Sequence, residues 1–236
     1  MFLIGIPLND GNLHIETMKS INALQEKLLL CGIASEIEYN IGSLITRQRN
    51  DILKKFHQNE KYDYLLFIDN DISGFEDNII DLVISLKNYD NSIAGYTYRK
   101  KKFLDLNNNY CENFKNKPNP YNINLHYSIQ ETLRKQEKYN MVKVKHLPTG
   151  CLLIPKTTFL KMMNIYQERA KHYNFFDVGV KEDEYLSEDY FFCDLVREMG
   201  GKVLTNLNIN IKHHLSNFCF DGSFKEYLNK IISKSN

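Results

Sequence analysis

The sequence predicts an α/β fold, with a mostly parallel sheet covered by helices on both faces in a single domain spanning residues 1–236. Three observations predict it. Apolar runs of strand length alternate with segments whose apolar residues recur every three or four positions. One such strand, Tyr64-Leu65-Leu66-Phe67-Ile68, ends abruptly in Asp69-Asn70-Asp71, as strands do at the carboxyl edge of open α/β sheets, where ligands bind. An apolar content of 43%, with 12% aromatics, is ample for one core over 236 residues.

Phe2 to Ile6 is a short apolar run suited to a buried first strand. Ile15, Met18, Ile21, Leu24 and Leu28 then share one helical face, and Gly32 stands where that helix should stop. Ser35 to Tyr39 reads as the second strand, and Thr46 to Asn59 as a helix that turns Ile52, Leu53 and Phe56 inward. After the Tyr64 to Ile68 strand, a helix is expected from Glu76 to Asn88, with Ser73 and Glu76 at capping-box spacing. Ser92 to Tyr98 is the next strand candidate.

From Lys101 to Asn140 no period is sustained, and the stretch reads as a long irregular insertion with one short helix around Ile129 to Glu137. Met141 to His146 alternates as a strand, Cys151 to Ile154 is a short apolar one, and a helix carrying Phe159, Met162, Met163 and Tyr166 follows Pro155. A further helix is expected from Ser187 to Met199, stopped by Gly200-Gly201, with a last strand over Lys202 to Thr205.

Thirty basic and 29 acidic residues leave a formal charge of +1, so no broad electrostatic surface for nucleic acid or anionic lipid is implied, and only a local basic patch stays open. The opening run Met1 to Pro7 has no positive leader and is too short for a signal peptide, and nothing approaches the ~18 consecutive apolar residues of a membrane span. The five cysteines are widely spaced and odd in number, which suits reduced thiols in a cytoplasmic protein.

Three groups of residues carry chemistry. Strand alternation puts Asp69 and Asp71 on one face, as paired hard oxygen ligands for a divalent cation that bridges a diphosphate. A polar turn bent at Gly74 accounts for the same residues. Ser187-Glu188-Asp189 opens an apolar helix, where acids complement the exposed N–H groups and the dipole; the same physics would keep Asp189 ionised as a base. Lys212-His213-His214 is either surface polarity or a source of one imidazole ligand, and carboxylates with one imidazole suit a borderline ion such as manganese.

Taken in order, Asp69-Asn70-Asp71, Ala94-Gly95, Arg99-Lys100, Pro148-Thr149-Gly150-Cys151-Leu152-Leu153-Ile154, Ser187-Glu188-Asp189 and His214 before Gly222 resemble the landmarks of GT-A-fold glycosyltransferases. The likeness is to the small members found in large DNA viruses, phages and bacteria, and a viral member would work in the host cytoplasm. The resemblance implies that residues 1–100 hold a nucleotide sugar, 101–140 form an insertion on the acceptor side, and 141–236 carry the acceptor and catalytic half.

It also implies roles. Asp71 would bind Mn2+ (or Mg2+) directly, His214 would be the other protein ligand with His213 its less favoured neighbour, and Asp69 would touch the donor's ribose within reach of the metal. Asp189 would be the general base, beside Glu188. Pro7, Arg47, Arg49, Asn50, Asn70 and Lys100 would line the nucleotide and diphosphate. The implied reaction is inverting transfer from a nucleoside-diphosphate sugar, UDP favoured and GDP possible, to a glycan or other hydroxyl acceptor. With no Trp in the chain, Tyr110, Tyr121, Phe175 and Phe176 are the candidates for stacking on an acceptor sugar.

Two other classes share the architecture. A sugar-1-phosphate nucleotidyltransferase would carry a Gly-rich basic loop after the first strand, where this chain has Pro7-Leu8-Asn9-Asp10-Gly11-Asn12. A non-catalytic nucleotide- or glycan-binding module would bind without turnover.

Overall fold

The structure is a computed structural model that describes residues 1–101, 121–135, 140–181, 183–216 and 218–235. Strand β1 (Phe2–Leu8) is buried along its whole length, because it lies between β2 (Ser35–Ile41) and β3 (Tyr64–Ile68) and runs parallel to both. Such a strand must be apolar on each side. Phe2, Ile4 and Ile6 face one helical layer and Leu3 the other. Gly5 leaves room for helix α2 (Ile45–Gln58), since a Cβ there would stand 2.6 Å from Ile52 Cγ2.

Helix α1 (Ile15–Leu30) buries Ile21, Leu24 and Leu28. It stops where Gly32 takes φ 71° and the Ile33 amide returns to the Leu28 carbonyl at 2.8 Å, a close that favours glycine. Strand β4 (Ile72–Ser73), helix α3 (Ile79–Leu86) and strand β5 (Ile93–Gly95) complete the first hundred residues. There follow β6 (Asn124–Leu125), α4 (Ile129–Arg134), β7 (Met141–His146), β8 (Cys151–Pro155), α5 (Lys156–Ile165) and α6 (Gln167–Ala170). The chain ends with β9 (Gly179–Lys181), β10 (Glu184–Leu186), α7 (Glu188–Glu198), β11 (Val203–Asn206), β12 (Lys212–Leu215), β13 (Phe218–Phe220) and α8 (Phe224–Ser235).

The central eight-stranded sheet has the order β2-β1-β3-β8-β5-β11-β7-β6. Most strands run in one direction, while β8 is antiparallel to β3 and β5, and β7 is antiparallel to β11 and β6. Helices α1 and α3 pack on one face with Ile4, Leu66, Ile68 and Leu153. Helices α2, α5, α7 and α8 pack on the other with Leu65, Phe67, Val144 and Ile154. Strict alternation along β3 therefore feeds both cores. Strand β8 comes from the second half of the sequence yet sits between β3 and β5, so the two halves share one sheet.

Some sequence expectations need correction. Helix α3 begins at Ile79 with Asn78 as its N-cap and no side-chain cap bond, and Ser73 is drawn instead into β4 beside β12. The short helix expected to Glu137 runs from Ile129 to Arg134, capped by Ser128 Oγ, and residues 136–139 lie outside the described residues, as do 102–120 with Tyr110 and Cys111. Tyr121, Phe175 and Phe176 are buried in the core and are not platforms for a ligand. The β9–β10 hairpin, the β13-β12-β4 sheet and α8 had no counterpart in the sequence reading. No helix among the described residues is long and apolar enough to cross a membrane.

Phe67 is fully buried and meets the Phe176 ring edge-on at 5.4 Å. Phe67→Ala should therefore cost about 3–5 kcal/mol of stability, read as a lowered midpoint in urea unfolding at an unchanged slope.

Candidate active site

Strands β1 and β3 end side by side, and beyond their carboxyl ends opens a cavity of about 390 Å³. Pro7 and Asn9 line it from the end of β1, Ile45 and Arg49 from α2, and Asp69, Asn70 and Asp71 from the turn after β3. Tyr98, Asn122, Glu188, Asp189 and His213 close the other sides. Residues from both halves of the chain thus meet at one place.

Arg49 organises its floor. The side chain is 4% exposed, and its guanidinium donates from Nη2 to Asp69 Oδ1 at 2.9 Å and from Nη1 to Glu188 Oε1. Burial alone would lower its pKa, but Asp69 and Glu188 outweigh burial and raise it. The other oxygen of Asp69 accepts a bond from the Tyr98 hydroxyl at 3.3 Å. Tyr98 stays protonated, because burial and then the Asp69 charge push its pKa well above the usual phenol.

Gly150 is required here. Its carbonyl accepts the Asp69 amide at 3.0 Å, and a Cβ on it would come within 2.6 Å of Asp69 Oδ2 and collide with the Tyr98 hydroxyl. The Pro148-Thr149-Gly150 segment therefore presses directly against the first aspartate.

Asp71 is held differently. The Lys101 ammonium forms an ion pair with Oδ2, and His213 Nε2 lies 3.5 Å from Oδ1. Burial works against ionisation, but the His213 and Lys101 contacts outweigh it and hold the carboxyl below its ordinary value. His213 Nδ1 lies 2.6 Å from the Arg99 carbonyl, which can only accept, so Nδ1 carries a proton and Nε2 is the ring nitrogen turned towards Asp71. An imidazole so oriented is ready to ligate a metal.

His214 takes a different place from the one expected of it. Neighbouring residues on a strand point to opposite faces, so with His213 towards the cavity, His214 turns to Ser73 Oγ at 2.7 Å and stacks on His14 with centroids 4.2 Å apart. Its pKa is lowered, first by burial and then by His14. The imidazole nearest Asp71 is therefore that of His213.

Asp189 stands at the start of α7. Its Oδ1 accepts from the Ser187 hydroxyl and from the Tyr190 amide at 2.9 Å. Ser187 thus donates to the carboxylate and does not cap the helix through its side chain. Burial and then the Glu188 charge raise the Asp189 pKa to about 6, against the lowering by Arg49 and these hydrogen bonds. The shift runs upward, against the direction a helix dipole would give, because desolvation dominates, and the carboxyl is still ionised at pH 7.

Three expected site residues are elsewhere. Arg47 is exposed and absent from the cavity lining, since two positions along a helix from Arg49 means nearly the opposite face. Asn50 spends its amide on the chain itself, accepting from the Phe175 and Phe176 amides at 3.0 and 2.9 Å and donating to the Phe176 carbonyl at 2.8 Å. Lys100 does not line the cavity, whereas its neighbour Lys101 reaches Asp71. Asn70 lines the cavity and donates to the Asn12 carbonyl at 2.8 Å. The sequence reading missed Tyr98, Lys101, Asn9, Ile45 and Asn122, of which only Lys101, inside a basic run, carried any signal.

Asp71 and His213 offer one carboxylate oxygen and one imidazole nitrogen, a donor set that fits manganese or magnesium when substrate phosphates complete the shell. Among the described residues no group of three His, Cys, Asp or Glu side chains gathers for a metal, so phosphates would have to supply the remaining ligands.

No protein family and no curated protein matches the chain by sequence. Solved structures do. A197 from STIV aligns with a TM-score of 0.54 and 15% identity over 91% of this chain and 86% of that one. GalNAc-T7, determined with UDP, GalNAc and Mn2+, aligns with a TM-score of 0.53 and 10% identity over 92% of this chain and 44% of that one. A glycosyltransferase involved in glycosylation of the major capsid of PBCV-1 aligns more loosely, at 0.42 and 10% identity over 87% and 81% of the two chains. The chain has a GT-A glycosyltransferase-like fold.

Removing the guanidinium would leave Asp69 and Glu188 partly buried without their counter-ion. Arg49→Met should lose about 3–5 kcal/mol of stability at neutral pH, read as a lowered midpoint in urea unfolding.

Proposed function

We propose that the protein is a metal-dependent inverting glycosyltransferase that moves a sugar from a nucleoside-diphosphate sugar to a hydroxyl of a glycan or other acceptor. The supporting observation is one cavity with the Asp69-Asn70-Asp71 turn and His213 on one side and Glu188 and Asp189 on another, joined by Arg49. Residues 1–100 would hold the donor and 141–236 the acceptor and base. UDP is favoured as the leaving nucleotide, with GDP the alternative, because the fold neighbour GalNAc-T7 is described with UDP, GalNAc and Mn2+.

Pro7, Asn9 and Ile45 lie where a base and ribose would pack against the end of β1, and Asn70 is available at the same lip. Asp69, fixed by Arg49 and Tyr98, offers its remaining lone pairs to a ribose hydroxyl. A divalent cation held by Asp71 and His213 would offset the charge gathering on the departing diphosphate.

Asp189 takes the acceptor proton. A carboxylate with a pKa of about 6 is ionised at pH 7 and is a stronger base than an ordinary aspartate. Attack on the anomeric carbon from the face opposite the diphosphate then inverts configuration in a single displacement. Proton removal of this kind contributes typically ~10²–10⁴ in rate.

Incubation with a panel of nucleotide sugars and Mn2+, reading released nucleoside diphosphate and the anomeric configuration of the product, tests the proposal. Asp71→Ala should lose donor binding and turnover together, whereas Asp189→Asn should bind donor and lose turnover. Release of pyrophosphate from a nucleoside triphosphate and sugar phosphate would indicate a nucleotidyltransferase instead, and binding without turnover a recognition module.

The raised pKa has a direction that can be checked. Below about pH 6 Asp189 is protonated and cannot accept a proton, so kcat/KM should fall as pH drops through that value. Glu188→Gln removes the like charge that helps raise it, so the acidic limb should move to lower pH. A limb that stays in place in this variant would contradict the coupling.

A further inference from the structure

The two carboxylates of the Asp69-Asn70-Asp71 turn both carry basic partners already. Asp69 is engaged by Arg49, which is 4% exposed and tied to Glu188 as well. Asp71 is engaged by Lys101, which reaches it with a side chain 26% exposed. The difference matters for what can come and go. Arg49 is locked by burial and a planar fork, whereas Lys101 is a single ammonium on a flexible stem.

An ammonium has three N–H donors and no lone pair, so it cannot ligate a cation itself, and its charge beside Asp71 opposes the arrival of a second positive charge there. It competes for Asp71. His213 differs from it, since with its Nδ1 proton on the Arg99 carbonyl its Nε2 is the ring atom turned to Asp71, and an imidazole nitrogen can become a ligand. The same corner therefore contains a pair of metal ligands and a positive charge that takes the metal's place.

We propose that Lys101 is the resident counter-ion of Asp71, and that a divalent cation must compete with this ammonium for the carboxylate, so that Lys101 sets the metal affinity of the site. The inference rests on the metal-dependent reading above and adds to it a residue outside the ligand set.

The test is a titration of Mn2+ alone, followed by the electron paramagnetic resonance signal of the free ion, on the whole chain and without a turnover measurement. Lys101→Met should bind Mn2+ about tenfold more tightly than wild type, a modest share of the repulsion between charges a few ångströms apart near a surface. Lys101→Arg, which keeps the charge, should stay near wild type. Lys61→Met, which removes the same charge beside Glu36 at the start of β2, should change nothing, and Asp71→Asn should abolish binding.

Equal affinity in wild type and Lys101→Met would overturn the competition while leaving the metal site intact. The same tightening in Lys61→Met would reduce the effect to net charge and overturn it too. Failure of wild type and Lys101→Met alike to bind Mn2+, both alone and with UDP present, would overturn this inference together with the metal-dependent reading.

Discussion

The guanidinium of Arg49 lies between carboxylates supplied by distant parts of the chain, Asp69 at the end of β3 and Glu188 at the start of α7. A cation this deeply buried is tolerable only when its partners are close and well aimed, and Arg meets that condition with donors on a rigid plane. Its position is in turn fixed by α2, where Ile52, Leu53 and Phe56 are buried against the sheet. The next residue, Asn50, grips the backbone at Phe175 and Phe176. Phe176 stacks on Phe192 of α7 at 4.4 Å with the rings 7° from parallel, and Arg49 lies 5.8 Å from the same Phe176 ring. Two adjacent residues of one helix thus set where β3 ends relative to where α7 begins.

That constraint separates the carboxylates into two kinds. Asp69 and Asp71 are each paired with a base, and the bases hold Asp71 below its ordinary pKa. Asp189 has no such partner at bonding distance among the ion pairs of the described residues; burial and the neighbouring Glu188 raise it to about 6 although Arg49 acts in the opposite direction. Glu188 occupies the guanidinium that would otherwise be free to neutralise Asp189. Acids whose environments push their pKa values apart are suited to different tasks, one binding a cation and the other accepting a proton.

Long, regular elements were legible in the sequence because their periods survive without knowledge of the fold. The buried β1 and β3 read as apolar runs, and α1 and α7 as helical stripes with glycine stops. Elements of two to four residues carry no period; β5 and β11 were found as apolar runs, but β4, β9, β10, β12 and β13, without such a run, were invisible, and β4 was mistaken for the approach to a helix. At the site, Asp69, Asp71, Glu188 and Asp189 were legible as acids at element ends, and Pro7, Asn70 and Arg49 also line the cavity. Arg47 and Asn50 do not line the cavity, because it is Ile45 and Arg49, four positions apart on α2, that face it. Tyr98 gave no signal, since a tyrosine at a strand end is ordinary until Gly150 and Asp69 are seen against it. The sign of the Asp189 shift depends on desolvation, which no local pattern records.

The tandem histidines show how a strand divides work that the sequence leaves ambiguous. Strand β12 pairs with β4, which places it beside the turn after β3, and alternation then sends His213 to Asp71 and His214 to the opposite side. His214 is not idle there. Its amide donates to the Asp71 carbonyl at 2.8 Å, while the amide of His14, the residue its ring stacks on, donates to the Asn70 carbonyl at 2.9 Å. Two histidines from separate segments therefore clasp consecutive carbonyls of the acidic turn and lock to each other through their rings. One ring faces the carboxylate and its neighbour fixes the backbone that carries it, a division that strand geometry makes possible only because the two residues are adjacent.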